Sequence, residues 1–165
     1  MMFFASTLTA SPTSRLAGVV TGLMIAKPIL HAGTVAVSTL TDAVNFSEKN
    51  QTLAKAAGGV SAAAAFVMLL GASPFETGIK IALVMGSTFQ GMFAAEVCIR
   101  GDSHDVTLDI REGIRTLIIA ISAIWIGIAT ATLLHPAIGC YLGALTASVI
   151  NYGAICLVDY FSPEL

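Results

Sequence analysis

The sequence predicts an all-α, multi-pass transmembrane helical bundle. Of its 165 residues 56% are hydrophobic and only 11% are charged, with a mean hydropathy of +0.85, whereas a soluble domain carries about 25% charged residues. Such a composition cannot cover a water-facing surface. We expect a flexible Ser/Thr-rich N-terminus at residues 1–15 and a single membrane domain at 16–165. Its apolar segments lie at about 16–40, 54–71, 79–99, 116–134 and 137–158, and its polar loops at 41–53 and 100–115.

The fourth segment is the most regular of the five. Thr116 to Leu134 holds nineteen residues without a charge, and at about 1.5 Å of rise per residue it crosses the roughly 30 Å of bilayer hydrocarbon. It is the element around which we expect the chain to be organised. Small residues predict close packing between it and the last segment: Ala120, Ala123, Gly127 and Ala131 against Gly139, Gly143 and Ala147.

Two short turns predict two helical hairpins. Ser73-Pro74 separates the second and third apolar segments, and His135-Pro136 separates the fourth and fifth. Proline cannot continue a helix from the preceding turn, because it lacks an N–H and its ring clashes with that turn. The last four segments are therefore expected to form two spanning pairs.

The first segment allows three interpretations: an N-terminal amphipathic helix in the interface, a fifth spanning helix, or a kinked helix that does some of each. On a helix, Lys27, His31, Thr34, Ser38 and Thr41 recur every three or four residues and form one polar stripe. A lysine at the bilayer centre costs about 2.5–3.5 kcal/mol, and the adjacent proline removes a hydrogen bond. These costs favour a helix that lies in the interface or inserts partly, whereas a spanning helix would turn its stripe toward the bundle or a pore.

The positive-inside rule predicts the orientation. Most of the lysines and arginines lie in or beside the loops 41–55 and 100–115, which makes these loops and the C-terminus cytoplasmic. If the first segment also spans, only the N-terminus changes sides. The chain is thus expected to be an integral membrane protein, with the lipid bilayer and other membrane helices as its partners.

Polar residues inside the apolar segments are the candidates for a functional pathway or for packing. Intramembrane ionisable residues are functional candidates by default, and mid-helix amides are expected to bond to a neighbouring helix because an unsatisfied polar group is costly in lipid. The candidates are Lys27, His31, Thr34, Ser38, Gln90 and Asn151. Glu96 and Arg100 are expected to form an ion pair at a helix end, and Trp125 is expected to be a packing residue.

The loop 100–115 is the most charged stretch of the chain and a candidate surface for docking a partner. No spacing in it matches a known calcium or zinc site, so we expect a solvated surface and no bound metal. The candidate docking residues are Asp102, His104, Asp105, Asp109 and Arg111.

Several classes of function are not expected. Eight lysines and arginines in total argue against nucleic acid as a partner, since phosphate binding needs clustered positive charge. No nucleophile, phosphate-binding or dinucleotide motif appears, so we expect neither an enzyme nor a cofactor. The three cysteines have no metal or redox spacing, and the N-terminus lacks the basic region and apolar core of a secretory signal peptide.

The sequence therefore predicts a non-enzymatic integral membrane protein that serves as a structural, assembly or partner-docking subunit. Its uncharged Ser/Thr-rich N-terminus and short-looped hairpins are similar in architecture to secreted inclusion-membrane proteins of intracellular bacteria. That resemblance implies an effector-type protein inserted in a host vacuole membrane. The alternative is a small channel or transporter that uses the polar stripe of the first segment in an oligomer.

Overall fold

The computed structural model describes residues 12–101 and 110–161, with side chains for 12–101 and 113–157. It contains five helices in these ranges: α1 (Pro12–Val44), α2 (Glu48–Leu69), α3 (Pro74–Arg100), α4 (Ile110–Leu133) and α5 (Pro136–Phe161). Each is long and apolar enough to cross a membrane. The prediction of an all-α, multi-pass bundle is confirmed, and the first segment forms one continuous helix of 33 residues.

The turn between α2 and α3 is tied together by its own side chains. The Ser73 hydroxyl accepts a hydrogen bond from the Glu76 N–H at 3.2 Å, and the Glu76 carboxylate accepts one from the Ser73 N–H at 2.8 Å. This reciprocal pair caps the start of a helix, and Pro74 occupies the first helical position, where no N–H is needed. Lys80 adds a bond to the Gly71 carbonyl at 2.7 Å. The predicted break at Ser73-Pro74 is confirmed.

The turn between α4 and α5 has a similar device. The His135 imidazole Nδ1 accepts a hydrogen bond from the Ala137 N–H at 3.2 Å, which satisfies one of the amide groups that a helix start leaves without a partner. Pro136 is the first residue of α5. His135 is thus a helix cap.

The helices extend beyond the predicted apolar segments into the polar loops. The connection from α1 to α2 is only residues 45–47, and α4 begins at Ile110, inside the predicted loop 100–115. Asn45 takes a positive φ of 52° at this short connection, a conformation that asparagine tolerates better than most residues. Hydropathy marks only the part of a helix that lies in hydrocarbon, so it underestimates the length of helices that project into water.

Helix α3 lies at the centre of the bundle, since it packs against all four other helices. Half of the residues in its most apolar 18-residue window are buried, against 22% for the corresponding window of α4. Helix α4 packs mainly on α5 and to a lesser extent on α3. The expectation that Thr116–Leu134 organises the chain is therefore wrong: small and polar residues permit close approach from several sides, whereas large apolar ones are stable in lipid.

Helices α1, α3 and α5 run in the same direction. Gly18 lies beside Phe75, and Thr34 lies beside Gln90 further along both helices, so α1 and α3 are parallel. Similarly, Gly91 lies beside Ala144 of α5, and Asn151 reaches Met92 further along both helices. Because α2 and α4 connect these helices, the connection at 45–47, Gly101 and Ile110 lie at one end of the bundle, and both proline turns lie at the other.

Small residues set the helix spacing. A Cβ on Gly91 would lie only 2.7 Å from the carbonyl carbon of Ala144, so the two backbones are in direct contact. At the α4–α5 interface, a Cβ on Gly127 would lie 3.2 Å from the Cα of Gly143, and Ala123 and Ala147 are fully buried. The predicted small-residue contact between these two helices is confirmed.

Trp125 does not pack in the interior. Its side chain is 69% exposed, on the side of α4 opposite to the small residues that face α5. The expectation of a packing role was wrong because the close α4–α5 contact leaves no room for an indole. This face of α4 is therefore exposed on the outside of the bundle.

Candidate functional site

The predicted polar stripe of α1 divides between two environments. Lys27 and His31 are exposed on the outside of the bundle, whereas Thr34 is half-buried and turned toward α3. Thr41, near the end of α1, is buried. The first half of α1 instead buries a row of small residues against α3, namely Gly18, Gly22 and Ala26. Whether the stripe forms a polar pathway stays a prediction.

Lys27 and His31 lie near the middle of the bundle's length. The neighbouring Ala26 and Leu30 approach Gly86 of α3, with Ala26 Cβ 3.3 Å from the position of an added Cβ there. Gly86 is halfway along α3, which runs from Pro74 to Arg100. At about 1.5 Å per residue, the level of Lys27 is therefore more than 15 Å from either end of α3. In a bilayer that α3 spans, a lysine side chain at that level is too short to bring its ammonium to the membrane surface.

Pro28 adds an acceptor to the same face. Because proline has no N–H, the carbonyl of Met24 loses the helical hydrogen bond that residue 28 would otherwise donate. Met24, Lys27, Pro28 and His31 are all exposed, and their spacing places them on one side of α1. This group, which we call the α1 outer face, combines an ammonium, an imidazole and a backbone acceptor.

Thr34 and Gln90 meet between α1 and α3. The Gln90 amide Nε2 donates to the Thr34 hydroxyl at 3.2 Å, and that hydroxyl donates to the Leu30 carbonyl of its own helix at 2.9 Å. Ser38 donates to the Val35 carbonyl on α1, and within the described part of the chain it makes no hydrogen bond to α3. Of the six candidate pathway residues, the structure thus brings these two together.

A partly open cavity of about 220 Å³ adjoins this pair between α1, α2 and α3. Its polar lining comes from α1, α2 and α3, and its apolar lining from α2 and α3. The lining residues are Thr34, Thr52, Lys55, Ala56, Gln90, Phe93, Ala94 and Val97. We refer to it as the three-helix cavity.

Asn151 joins α5 to α3. It is 1% exposed, and its amide Nδ2 donates to the Met92 carbonyl at 3.1 Å. Ser148, one turn earlier, donates to the Gly91 carbonyl at 2.7 Å. Both mid-helix amides of the sequence therefore hydrogen-bond to a neighbouring helix, as expected of polar groups in lipid.

Other predicted residues have a simpler placement. Glu96 and Arg100 form the predicted ion pair at 3.6 Å near the end of α3. Asp102, His104, Asp105 and Asp109 lie outside the described residues, and so does the side chain of Arg111. In the described part of the chain, no group of three His, Cys, Asp or Glu residues could hold a metal ion.

Sequence reasoning missed the contribution of α2 to the cavity. Thr52, Lys55 and Ala56 share one face of α2 at spacings of three and four residues, which is the only available signal. That signal is weak, because the same spacing occurs on any helix that begins in water. The partner of this face, Gln90, becomes evident only when α2 and α3 are placed side by side.

The chain matches no protein-family model, no curated protein and no solved structure.

Proposed function

We propose that this protein is a non-enzymatic membrane subunit that assembles with the transmembrane helix of another protein through the α1 outer face. The observation that carries the proposal is the position of Lys27, which is exposed to the outside near the middle of a helix long enough to span a membrane. A charge at this depth is unfavourable in lipid by about 2.5–3.5 kcal/mol. A partner that neutralises the charge of Lys27 removes part of this cost, and the difference favours association.

The chemistry of the α1 outer face favours an acidic partner helix. Within the described residues Lys27 forms no ion pair, and the ten acidic residues of the chain all lie near or beyond the ends of its apolar helices. A second copy of the same chain therefore has no carboxylate at the depth of Lys27. An Asp or Glu in the membrane helix of another protein supplies one, and the His31 imidazole N–H can donate an additional hydrogen bond to that carboxylate.

A model helix tests this proposal directly. We would incorporate the labelled protein into phosphatidylcholine liposomes with a leucine-rich spanning peptide that has one central Glu, and measure energy transfer. An otherwise identical peptide with a central Gln is the control ligand. We expect the Glu peptide to associate about tenfold more tightly, a difference of about 1.4 kcal/mol, because only its carboxylate forms a charge-assisted bond with Lys27.

Variants of the chain complete the test. Lys27→Leu should remove the difference between the two peptides, whereas Lys80→Leu should retain it, because Lys80 bonds to Gly71 at the proline turn. Equal association of the Glu and Gln peptides with the unmodified protein would contradict the proposal.

A channel or transporter is the competing function, in which several copies turn Lys27 and His31 toward a shared pore. The same outward position supports it, since these side chains would then face water. Gln90 and Asn151 would not line that pore, because they bond inside the bundle. Self-association of the unmodified protein in liposomes, together with ion flux that Lys27→Leu abolishes, would favour this function over the subunit.

The proposed orientation places the ends of α1 on opposite sides of the membrane. The short 45–47 connection and the positively charged residues near it would be cytoplasmic. In a background without the three native cysteines, a thiol reagent that cannot cross membranes should label Ser14→Cys in intact cells. It should label Ser47→Cys only after the membrane is permeabilised. Labelling of both from one side would exclude a spanning α1.

An effector-type protein in a host vacuole membrane is a narrower form of the same proposal. It rests on the architectural resemblance of the N-terminus and hairpins alone. A translocation reporter fused to the chain should enter the host cytosol in a secretion-competent bacterium, and failure to enter would remove this version while leaving the subunit proposal intact.

A further inference from the structure

We propose that the three-helix cavity binds the headgroup of an anionic membrane lipid whose headgroup also carries hydroxyls, of the phosphatidylglycerol type. The cavity does not depend on the α1 outer face, because its lining is contributed by a different side of α1 and by α2 and α3. Four observations support the assignment: the charge of the cavity, its hydrogen-bonding groups, its depth and its size.

Lys55 gives the cavity a positive charge. It lies in the second turn of α2 and lines the cavity. The nearest acidic residue on α3, Glu96, is engaged with Arg100 at 3.6 Å and is not among the lining residues. A negatively charged ligand group is therefore favoured, and a lipid headgroup that ends in an ammonium is disfavoured.

The hydroxyls of the cavity favour a ligand that also donates hydrogen bonds. Thr34 donates its proton to Leu30 at 2.9 Å, and Thr52 donates its proton to Glu48 at 3.0 Å. The Thr52 hydroxyl therefore keeps its lone pairs as acceptors, and the Thr34 hydroxyl, which already accepts from Gln90 Nε2, keeps one. Gln90 uses one N–H for Thr34 and retains its carbonyl oxygen and its second N–H. A headgroup with both a phosphate and hydroxyls matches this set of donors and acceptors.

The depth of the cavity is that of a lipid headgroup and the region just beneath it. Val97 is three residues from the end of α3 and Gln90 is ten, so the cavity extends from about 5 Å to about 15 Å along the helix from that end. Phe93 lines the cavity and is 68% exposed, and Phe89 precedes it by one turn and is also exposed. Together they form an apolar path down α3 for an acyl chain.

The volume is consistent with a headgroup and excludes a whole lipid. At about 30 Å³ per water molecule, 220 Å³ holds the equivalent of roughly seven waters, which is adequate for a phosphate and a small polyol. The acyl chains must then lie outside the cavity, over Phe89 and Phe93.

Native mass spectrometry of the full chain in detergent can test the site. We would titrate phosphatidylglycerol, phosphatidic acid and phosphatidylcholine separately and determine the apparent Kd of the first bound lipid. We expect phosphatidylglycerol to bind most tightly, phosphatidic acid more weakly because it lacks the headgroup hydroxyls, and phosphatidylcholine most weakly because of its ammonium.

Two variants and a matched control test whether the residues that line the cavity bind the headgroup. Lys55→Gln should weaken phosphatidylglycerol binding about tenfold through loss of a charge-assisted bond, and Gln90→Glu should weaken it further, because it places a carboxylate in the cavity at little change in size. Lys49→Gln removes an equal charge from the first turn of α2, outside the cavity, and should leave binding unchanged. A thermal unfolding measurement for each variant identifies any that fails to fold.

Three results would overturn the assignment. Equal losses in folded Lys55→Gln and Lys49→Gln would mean that lipid is attracted only by surface charge. Equal binding of phosphatidylcholine and phosphatidylglycerol would exclude an anion site. Displacement of the lipid by millimolar glycerol 3-phosphate would identify a water-soluble anion as the ligand in place of a lipid.

Discussion

Helix α3 is less apolar than helix α4 and is nevertheless more deeply buried. The most apolar window of α4 has the highest mean hydropathy among the windows of the five helices, yet only 22% of it is buried, whereas half of the α3 window is buried. The interior face of α3 has fully buried Ser87 and Thr88 and the close-packed Gly91. The outer face of α4 has isoleucines, leucines and Trp125.

This contrast shows what drives burial in a membrane bundle. Lipid tails are as apolar as leucine, so large apolar side chains gain little by leaving lipid for the protein interior. Small residues gain backbone contacts, and polar residues gain hydrogen bonds that lipid cannot offer. Helix α3 is central because its small residues contact α1 and α5 and it hydrogen-bonds to both of these helices, and α4 is peripheral because only one face offers small residues.

The largest expected effect comes from filling the closest contact of α3. Gly91→Leu should destabilise the bundle by about 3 kcal/mol or more, because the new side chain meets the Ala144 backbone and must separate α3 from α5. Unfolding in a denaturing-detergent titration measures this. The matched change on α4 is Gly113→Leu, because a Cβ at residue 113 would have nothing within 4 Å. The free energy of unfolding of this variant should stay within about 0.5 kcal/mol of that of the unmodified protein. Similar losses in both variants would contradict the contrast.

Removing an interhelical hydrogen bond to α3 should have an intermediate effect. Asn151→Leu has nearly the same volume and loses the bond to the Met92 carbonyl, so we expect a loss of about 0.6–1.7 kcal/mol in the same titration. Thr130→Val on α4 is the control, since within the described residues the Thr130 hydroxyl bonds only to the Ile126 carbonyl of its own helix. A larger loss in the control would mean that α4, and not α3, depends on polar contacts.

The smallest effect is expected on the outer face of α4. Trp125→Leu exchanges one lipid-facing apolar side chain for another and should change the free energy of unfolding by less than about 0.5 kcal/mol. Trp125 is the only tryptophan of the chain, so circular dichroism must monitor this unfolding. A loss above about 2 kcal/mol would show that the indole packs against protein, within this chain or in an assembly.

Much of the architecture could be predicted from the sequence because it depends on local chemistry. Apolar runs of sufficient length identify the spans, the prolines at 74 and 136 mark the tight turns, and the small residues of α4 and α5 identify their contact. The ion pair of Glu96 and Arg100 follows from a spacing of four residues. Each of these features lies within one helix or between two helices joined by a short turn.

The arrangement of helices that are distant in sequence could not be predicted. Gln90 and Thr34 are 56 residues apart, and no local pattern indicates that α1 packs alongside α3. The polar stripe of α1 favoured an interfacial helix because Lys27 and Thr34 were assumed to lie on the same face and in the same environment. Small residues on an adjacent face, Gly18, Gly22 and Ala26, make the closest contacts, and they divide that stripe between the outside and the cavity.

The position of α1 against α3 can be tested by cross-linking in native membranes. A Cβ at residue 86 lies 3.3 Å from the Ala26 Cβ, close to the roughly 3.5–4.5 Å between the Cβ atoms of a disulfide. With the three native cysteines replaced, Ala26→Cys with Gly86→Cys should form a disulfide rapidly, and Met24→Cys with Gly86→Cys should not, because Met24 faces outward. Equal cross-linking of the two pairs, or none in either, would contradict a bundle in which α1 packs lengthwise on a central α3.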